Sequence, residues 1–349
     1  MWFAVVILFV MNIYTAIGQR SCTTPNGELA LCVSLQSCNI FYDYILAPNR
    51  NAEIDSYLVA SKCGVDSKGY PLVCCGSDTK FQPTLPDRTK CGYQEDFKVL
   101  GGEDTDLSEF PWLTLLQQTT TFGVKKWACG GSLISTRYVL TAAHCSGTNK
   151  LTLARLGEWN LDTTEDCIGS GPYKACSEPP QDIAVEQVIP HPEYVRNRQG
   201  VFNDISLVRL ARAAVFNQFV QPICLPLPQE RSPIGTRVFV AGWGAVSVRQ
   251  SYSSVKQKLK VPIVELQICA NVFGKVNDKM VCAGGEKGKD SCKGDSGGPL
   301  IATISGGNQQ FYIEGIVSYG LTACGTEGSP AIYTRVTDFL DWIRQTVKP

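Results

Sequence analysis

Residues 290–300 read Asp290-Ser291-Cys292-Lys293-Gly294-Asp295-Ser296-Gly297-Gly298-Pro299-Leu300. Glycines on either side of Ser296 let the backbone turn sharply, leave the hydroxyl uncrowded and expose neighbouring N–H groups, as a serine nucleophile with an oxyanion hole requires. Taken alone, the run is equally a glycine-rich turn around an ordinary serine. A nucleophile of this kind needs a base, and the chain has 2 histidines. His191, in Pro190-His191-Pro192, suits a surface turn better than proton transfer. His144 ends the run Leu140-Thr141-Ala142-Ala143 and precedes Cys145, which would pin it, so His144 is the candidate base. A buried carboxylate must then hold the imidazole in one tautomer and stabilise its developing charge. Asp204, opening the apolar run Ile205-Ser206-Leu207, fits that role and would equally suit a strand cap.

The rest of the chain says where such a site would work. At 349 residues it exceeds one ordinary core, so a large domain plus a small one, or two similar domains, is expected. Lys and Arg total 32 against 32 Asp and Glu, which leaves no positive excess for phosphates and argues against nucleic acid as a partner. With 32 Gly and 19 Pro, short strands punctuated by turns are expected, among them residues 138–142, 237–241 and 311–318. Phe339, Ile343 and Val347 recur every four residues after Thr337, a candidate N-cap, so a closing amphipathic helix is expected. Residues 2–10 are almost entirely apolar, and Ala16 and Gly18 suit cleavage before Gln19, so residues 1–18 read as a signal peptide. The run is short for a membrane anchor, and no later stretch is apolar enough to span a bilayer. No Asn-x-Ser/Thr sequon is present, so N-glycosylation is not expected.

Sixteen cysteines in a secreted chain read as eight disulfides. Six of them (Cys22, Cys32, Cys38, Cys63, Cys74 and Cys75) crowd a segment too short for a sufficient core, where three crosslinks at roughly 2–4 kcal/mol each would supply the stability. A zinc site is the alternative, but Cys74 and Cys75 are adjacent and no histidine lies nearby. Residues 77–98, between a small module at 19–76 and a large domain at 99–349, begin with a stretch to Lys90 that carries Pro83 and Pro86 without hydrophobic periodicity and reads as a linker.

Three separated motifs, at 140–145, 204–207 and 290–300, stand in the order His, Asp, Ser and resemble the chymotrypsin and trypsin family of serine proteases over about residues 99–349. The resemblance implies an all-β, chymotrypsin-like fold of two packed antiparallel β-barrels with a C-terminal helix and the active site between the barrels. It assigns Ser296 as nucleophile, His144 as general base and then acid, Asp204 as the orienting carboxylate, and the N–H groups of Gly294 and Ser296 to the oxyanion hole. It implies the pairs Cys129–Cys145, Cys269–Cys282, Cys292–Cys324 and Cys91–Cys224, leaving Cys167 with Cys176. The small module resembles the disulfide-knotted clip domain of arthropod clip-domain proteases, which implies Cys22–Cys74, Cys32–Cys63 and Cys38–Cys75. Spacing alone leaves 15 connectivities open for six cysteines. Three bridges and five use all 16, which supports the partition. The 24 residues between Cys38 and Cys63, with the Cys167 loop, look most like the catalytic B-type branch.

The same resemblance puts Asp290 at the base of the primary pocket, where a carboxylate selects Arg or Lys by a charge-assisted bond. A solvated surface aspartate is the plainer reading. Ser318, Tyr319 and Gly320 would form the wall that pairs with substrate backbone. Ala331 stands where the trypsin-like pattern has glycine, and its methyl would intrude on the pocket. Val99-Leu100-Gly101-Gly102 resembles an activation start, so cleavage between Lys98 and Val99 would free an amino group to insert beside Asp295. Catalysis would need no cofactor. Glu158, Asn160, Thr163 and a carboxylate from Glu165 or Asp166 resemble the family's calcium loop, and a solvated acidic loop reads them equally well.

The reading that follows is a secreted endopeptidase zymogen cleaving protein substrates after Arg or Lys, in an extracellular haemolymph cascade such as melanisation by prophenoloxidase activation or Toll-ligand processing. Its implied partners are an upstream activating protease and serpin inhibitors, with no membrane and no nucleic acid. A non-catalytic clip-domain homologue serving as a cascade cofactor is the alternative, against which the intact Ser296, His144, Asp204 and Asp290 argue. A disulfide-rich protease inhibitor would explain the small module but not the large domain.

Overall fold

The computed structural model describes residues 20–25, 28–46, 52–76, 85–94, 105–147, 149–171, 174–244, 252–287, 295–304, 310–321 and 327–348. The signal segment, Lys98, Val99, Asp290, Cys292, Gly294 and Cys324 lie outside the described residues. The chain divides into two compact units, with the break between Thr84 and Leu85.

In the N-terminal unit the strands Ser21–Thr23, Leu29–Ser34, Pro71–Cys75 and Lys62–Val65 form an antiparallel sheet in that spatial order. Helices Asn39–Leu46 and Ala52–Ala60 accompany it. Its core is small, centred on Cys38, Phe41, Tyr57 and Val73, with the Phe41 and Tyr57 rings 6.0 Å apart. Disulfides Cys22–Cys74, Cys32–Cys63 and Cys38–Cys75 tie the sheet to the segment that enters the first helix. A core of that size needs such crosslinks.

The larger unit holds two closed six-stranded antiparallel barrels. The first runs through Leu113–Thr119, Lys125–Leu133, Tyr138–Thr141, Lys150–Leu156, Gln181–Pro190 and Ser206–Leu210. The second runs through Arg237–Gly242, Gln257–Val264, Met280–Gly284, Pro299–Thr303, Phe311–Tyr319 and Pro330–Arg335. Closure leaves no free sheet edge in either barrel. Between them Phe110, Trp112, Phe239 and Phe311 meet at centroid distances of 5.5 to 6.2 Å in tilted and edge-on pairs. Rings of this size bury much apolar area and accept few alternative packings, so they fix the barrels against one another and with them the cleft.

The closing helix, Leu340–Thr346, buries Phe339, Ile343 and Val347 as the four-residue spacing predicts. Thr337 does not cap it. A 3₁₀ turn, Val336–Phe339, precedes the helix, and the Thr337 hydroxyl donates instead to the Glu230 carbonyl at 3.0 Å. A further helix, Leu266–Phe273, is fastened by Cys269–Cys282. Three more disulfides serve this unit: Cys91–Cys224, Cys129–Cys145 and Cys167–Cys176.

Candidate active site

His144 lies in a 3₁₀ turn, Ala143–Ser146, directly after the strand Tyr138–Thr141, and Cys129–Cys145 straps that turn to the neighbouring strand. Its backbone N–H donates to Asp204 Oδ1 at 2.8 Å and its Nδ1–H to Asp204 Oδ2 at 2.7 Å. Two bonds to one carboxylate fix both the ring's position and its tautomer. With Nδ1 donating, Nε2 keeps its lone pair for a proton.

Asp204 is 1 % exposed. Besides the two bonds from His144, its Oδ2 accepts from the Ser318 hydroxyl at 2.5 Å, and its carbonyl accepts from the Thr334 hydroxyl at 2.9 Å. The local backbone explains how a carboxylate comes to point inward at a strand entrance. Asn203 is one of two non-glycine residues with positive φ among the described residues, at 51°, a conformation asparagine tolerates better than most residues. The Asn203 side-chain amide donates to the Glu193 carbonyl at 2.9 Å and holds the bend. The strand-cap alternative for Asp204 therefore fails, because its carboxylate oxygens go to His144 and Ser318.

Ser296 is half-buried in a turn closed by a bond from Gly298 N–H to the Asp295 carbonyl at 2.8 Å. That turn is bonded to both barrels. Gly130 N–H donates to the Ser296 carbonyl at 2.8 Å, and Gly297 N–H donates to the Val317 carbonyl at 2.9 Å. Gly297 has φ of +79°, and a Cβ there would collide with the Thr141 hydroxyl and the Gly130 carbonyl, so only glycine fits. The Cys145 sulfur, engaged in its disulfide, lies 3.7 Å from the Ser296 carbonyl oxygen. One strand, Lys125–Leu133, thus touches both the histidine turn and the serine turn.

The Asp295 carboxylate turns toward the second barrel, where Gly244 N–H donates to Oδ1 at 3.0 Å. A Cβ on Gly242 would stand 2.5 Å from the same oxygen, so the carboxylate occupies space that a side chain would fill. Ser318 and Tyr319 end the strand Phe311–Tyr319, Gly320 follows it, and Ala331 is buried in the neighbouring strand Pro330–Arg335. The Tyr319 ring meets Phe273 edge-on at 5.4 Å, and its hydroxyl is shielded from water without a partner among the described residues. Burial, reinforced by the Asp204 charge, pushes the Tyr319 hydroxyl pKa up, so it stays protonated.

His191 stands apart from this constellation. Its ring packs against Phe339 at 5.2 Å and Trp342 at 5.0 Å, and its Nδ1 accepts from Glu193 N–H at 3.2 Å.

In the loop after the strand Lys150–Leu156, Glu158 and Asp166 are both buried. Asp166 accepts from the N–H groups of Trp159 and Asn160, each at 3.1 Å, and from the Thr163 hydroxyl. Glu158 accepts from Trp159 N–H at 2.9 Å and from Arg155 at 3.1 Å. Glu165 is exposed. Burial and then the neighbouring Asp166 charge push the Glu158 carboxyl up, and oxygen donors of this kind are those a hard cation would use. The Lys256 ammonium, pushed down to about 8 by burial, is the nearby positive charge that faces Glu109, Asp166 and Glu158.

The trypsin family profile matches residues 99–343. A second profile, the regulatory CLIP domain of proteinases, matches residues 22–75. The chain is a clip-domain serine protease of the trypsin family. Over their whole lengths it is 58 % identical to phenoloxidase-activating factor 3 of Holotrichia diomphalia. It is 44 % identical to phenoloxidase-activating factor 1 of the same beetle, over 99 % of each chain. The crystal structure of the Drosophila Grass clip serine protease of the Toll pathway is similar at 32 % identity and a TM-score of 0.66, covering 94 % of this chain and 97 % of that one. Clip-domain serine proteases of this family need no cofactor for catalysis.

Sequence reasoning missed three contributors to the site. Ser318 was expected only as substrate wall, yet its hydroxyl holds Asp204. Asn203 carries a signal, an asparagine just before the key acid, that marks a left-handed bend. Tyr194 carries none: it is half-buried, and burial and then the Asp204 charge push its hydroxyl pKa up.

Proposed function

We propose that this clip-domain protease is a secreted zymogen that, once cut between Lys98 and Val99, hydrolyses peptide bonds after Arg or Lys. The observation that carries the proposal is the doubly bonded His144–Asp204 pair, joined through the Gly130 strand to the Ser296 turn. Ser296 Oγ attacks the scissile carbonyl while His144 Nε2 takes its proton and then returns it to the leaving amine. Asp204 holds the ring in one tautomer and stabilises the imidazolium. The N–H groups of Gly294 and Ser296 receive the oxyanion. Asp290 forms the base of the primary pocket and pairs with the cationic side chain, with Ser318, Gly320 and Ala331 as its walls.

Freed by cleavage, the Val99 amino group pairs with Asp295 and orders the oxyanion hole and pocket. Glu158, Asn160, Thr163 and Asp166 would hold a calcium ion, whose charge would serve structure and not catalysis. The names of the relatives support a place in a phenoloxidase-activating or Toll-type cascade; in this reading the cascade runs in haemolymph, with an upstream protease as activator and serpins as inhibitors. The intact Ser296, His144 and Asp204 speak against a non-catalytic cofactor role.

The test is hydrolysis of Arg-ended and Lys-ended esters before and after cleavage, with organophosphate labelling of Ser296. Turnover and labelling should appear only after the cut, and Ser296→Ala should abolish both. Cut protein that neither labels nor turns over would refute the proposal.

A further inference from the structure

Residues 85–94 stand before the proposed cut at Lys98, so activation would leave them on the N-terminal product, yet they belong to the larger compact unit. Leu85 packs against the core cluster that holds Phe110, Trp112 and Phe311. Gly92 N–H donates to the Pro222 carbonyl and Phe311 N–H donates to the Gly92 carbonyl, each at 2.8 Å. The chain passes so closely here that Gly92, at φ +72°, has no room for a Cβ against the Phe311 carbonyl. The Gln310 side-chain amide donates to the Arg88 and Cys91 carbonyls, and Gln94 Oε1 accepts from Phe110 N–H at 3.0 Å. Each partner of the segment in these bonds lies C-terminal to Val99, so cleavage at Lys98 breaks none of them.

Arg88 anchors the stretch. Its guanidinium donates to Glu230 Oε1 at 2.5 Å and to the Leu225 carbonyl at 3.3 Å, and it lies 5.9 Å from the centre of the Tyr312 ring. The Arg88 and Glu230 side chains are 25 % and 22 % exposed, so water screens the pair less than it would an open surface pair. The receiving groups are fixed independently of Arg88. Glu230 Oε2 accepts from Leu227 N–H at 2.8 Å, the Glu230 carbonyl accepts from the Thr337 hydroxyl at 3.0 Å, and the Tyr312 hydroxyl donates to the buried Glu314 Oε2 at 2.9 Å. A surface already ordered in this way loses little freedom when a segment settles on it.

We infer that the face made by residues 222–230 and 310–312 is a docking surface for residues 85–94 of the cleaved N-terminal product, which it holds without help from Cys91–Cys224. The inference rests on the cut between Lys98 and Val99 in the proposed function. The disulfide then guards an existing association against dilution, because a tether raises effective concentration without adding contacts. The N-terminal unit, continuous in chain with this segment, stays with the protease even where that disulfide is absent. Truncating Arg88 removes a charge-assisted bond and leaves the half-buried Glu230 without its counter-charge, a loss of roughly ten- to a hundredfold in affinity.

The test uses full-length protein carrying Cys91→Ser with Cys224→Ser, cleaved between Lys98 and Val99 and passed through a size-exclusion column at about 10 μM. The two pieces should elute together in native buffer and apart in denaturant. Dilution should give a dissociation constant that Arg88→Ala raises by roughly ten- to a hundredfold, and that Arg88→Lys, which keeps a charge opposite Glu230, raises by less. Separation of the folded pieces at that concentration, or a dissociation constant unmoved by Arg88→Ala, overturns the inference. Should the cysteine variant fail to fold, hydrogen exchange in the disulfide-bonded wild type tests the same point. The Gly92 and Phe311 amides should stay protected after the cut, and their exposure on cutting overturns the inference. Organophosphate labelling of Ser296 reports on the proposed function separately: pieces that part but still label leave that function standing, and pieces that hold together without labelling leave the docking standing. A chain that no trypsin-like protease cuts at Lys98 overturns both.

Discussion

A Cβ placed on Gly320 would stand 3.3 Å from the Cβ of Ala331, so the Ala331 methyl faces the strand end that follows Ser318. Ala331 is 1 % exposed and pairs with Ala283 on its other side, so it has nowhere to retreat. If these strands wall the primary pocket, as proposed, a methyl there would narrow it where a guanidinium, the broader cationic head group, would lie flat. Ala331→Gly should raise kcat/KM for Arg substrates over Lys substrates by roughly three- to tenfold, in the range of one methylene in a fitted pocket. Paired ester assays check this, and an unchanged Arg to Lys ratio would mean that the methyl does not reach the substrate.

The Ser318 hydroxyl is the third donor to a buried carboxylate that His144 also needs. A hydrogen bond to a charged group contributes roughly 1.5–3 kcal/mol. Ser318→Ala should therefore lower kcat by roughly ten- to a hundredfold, with KM changed little, because the lost bond orients the base rather than the substrate. A loss confined to KM would assign Ser318 to substrate binding instead.

His144, Asp204 and Ser296 were legible because each sits in a run whose chemistry is local: glycines around a hydroxyl, a cysteine beside an imidazole, an acid before an apolar strand. The short strands were legible as apolar segments between glycines and prolines, a pattern that suits a sandwich as well as a barrel, and the two-barrel architecture came only with the family resemblance. What stayed hidden depends on contacts across long sequence distances. Nothing near Ser318 announces that its hydroxyl will meet a carboxylate 114 residues away, and nothing around Lys256 announces that its ammonium will be buried beside Glu158 and Asp166. The helices Asn39–Leu46 and Ala52–Ala60 were not read from the sequence either. They are short, and three disulfides rather than a long apolar stripe hold the unit together.

His191 gives a pH dependence with a definite sign. Burial against Phe339 and Trp342 disfavours its charged form, Lys279 adds to that, Glu193 opposes it, and the balance lowers its pKa from 6.5. Between the lowered value and 6.5 the unfolded chain binds more protons than the folded one, so stability rises with pH across that window and falls on acidification through it. With 2 histidines in the chain, NMR can follow His191 directly. Its midpoint should fall below 6.5, and His191→Gln should flatten the slope of denaturant midpoint against pH between about 5 and 6.5. A His191 midpoint above 6.5 would refute the assignment.

Glu158 and Asp166 are buried carboxylates, and the Asp166 charge adds to burial in pushing the Glu158 carboxyl up. Calcium bound to the folded protein alone would raise its melting temperature as the ion concentration passes its dissociation constant. Thermal scans in millimolar calcium and in chelator should differ by several degrees for wild type and by much less for Glu158→Gln. Identical scans for wild type in both would mean that Arg155 and Lys256 balance the buried carboxylates without calcium.

Asp295 turns its carboxylate against Gly242 and Gly244, where there is no room for a side chain but there is a peptide N–H to receive it. An amino terminus delivered there by cleavage at Lys98 would be a charge-assisted partner, with a reference pKa of about 7.7–8.0 that pairing raises. Asp295→Asn should cut normally and yet lose most turnover, because the new amino group would be left without its carboxylate. Wild-type activity should also decline at alkaline pH as that amino group loses its proton, and the Asn variant should lack this limb. Cys91–Cys224 joins the segment before the cut to the barrel unit, so cleaved protein should run as one species on a non-reducing gel and as two chains after reduction. Full activity in uncut protein, or in cut Asp295→Asn, would disconnect the cleavage from the catalytic site.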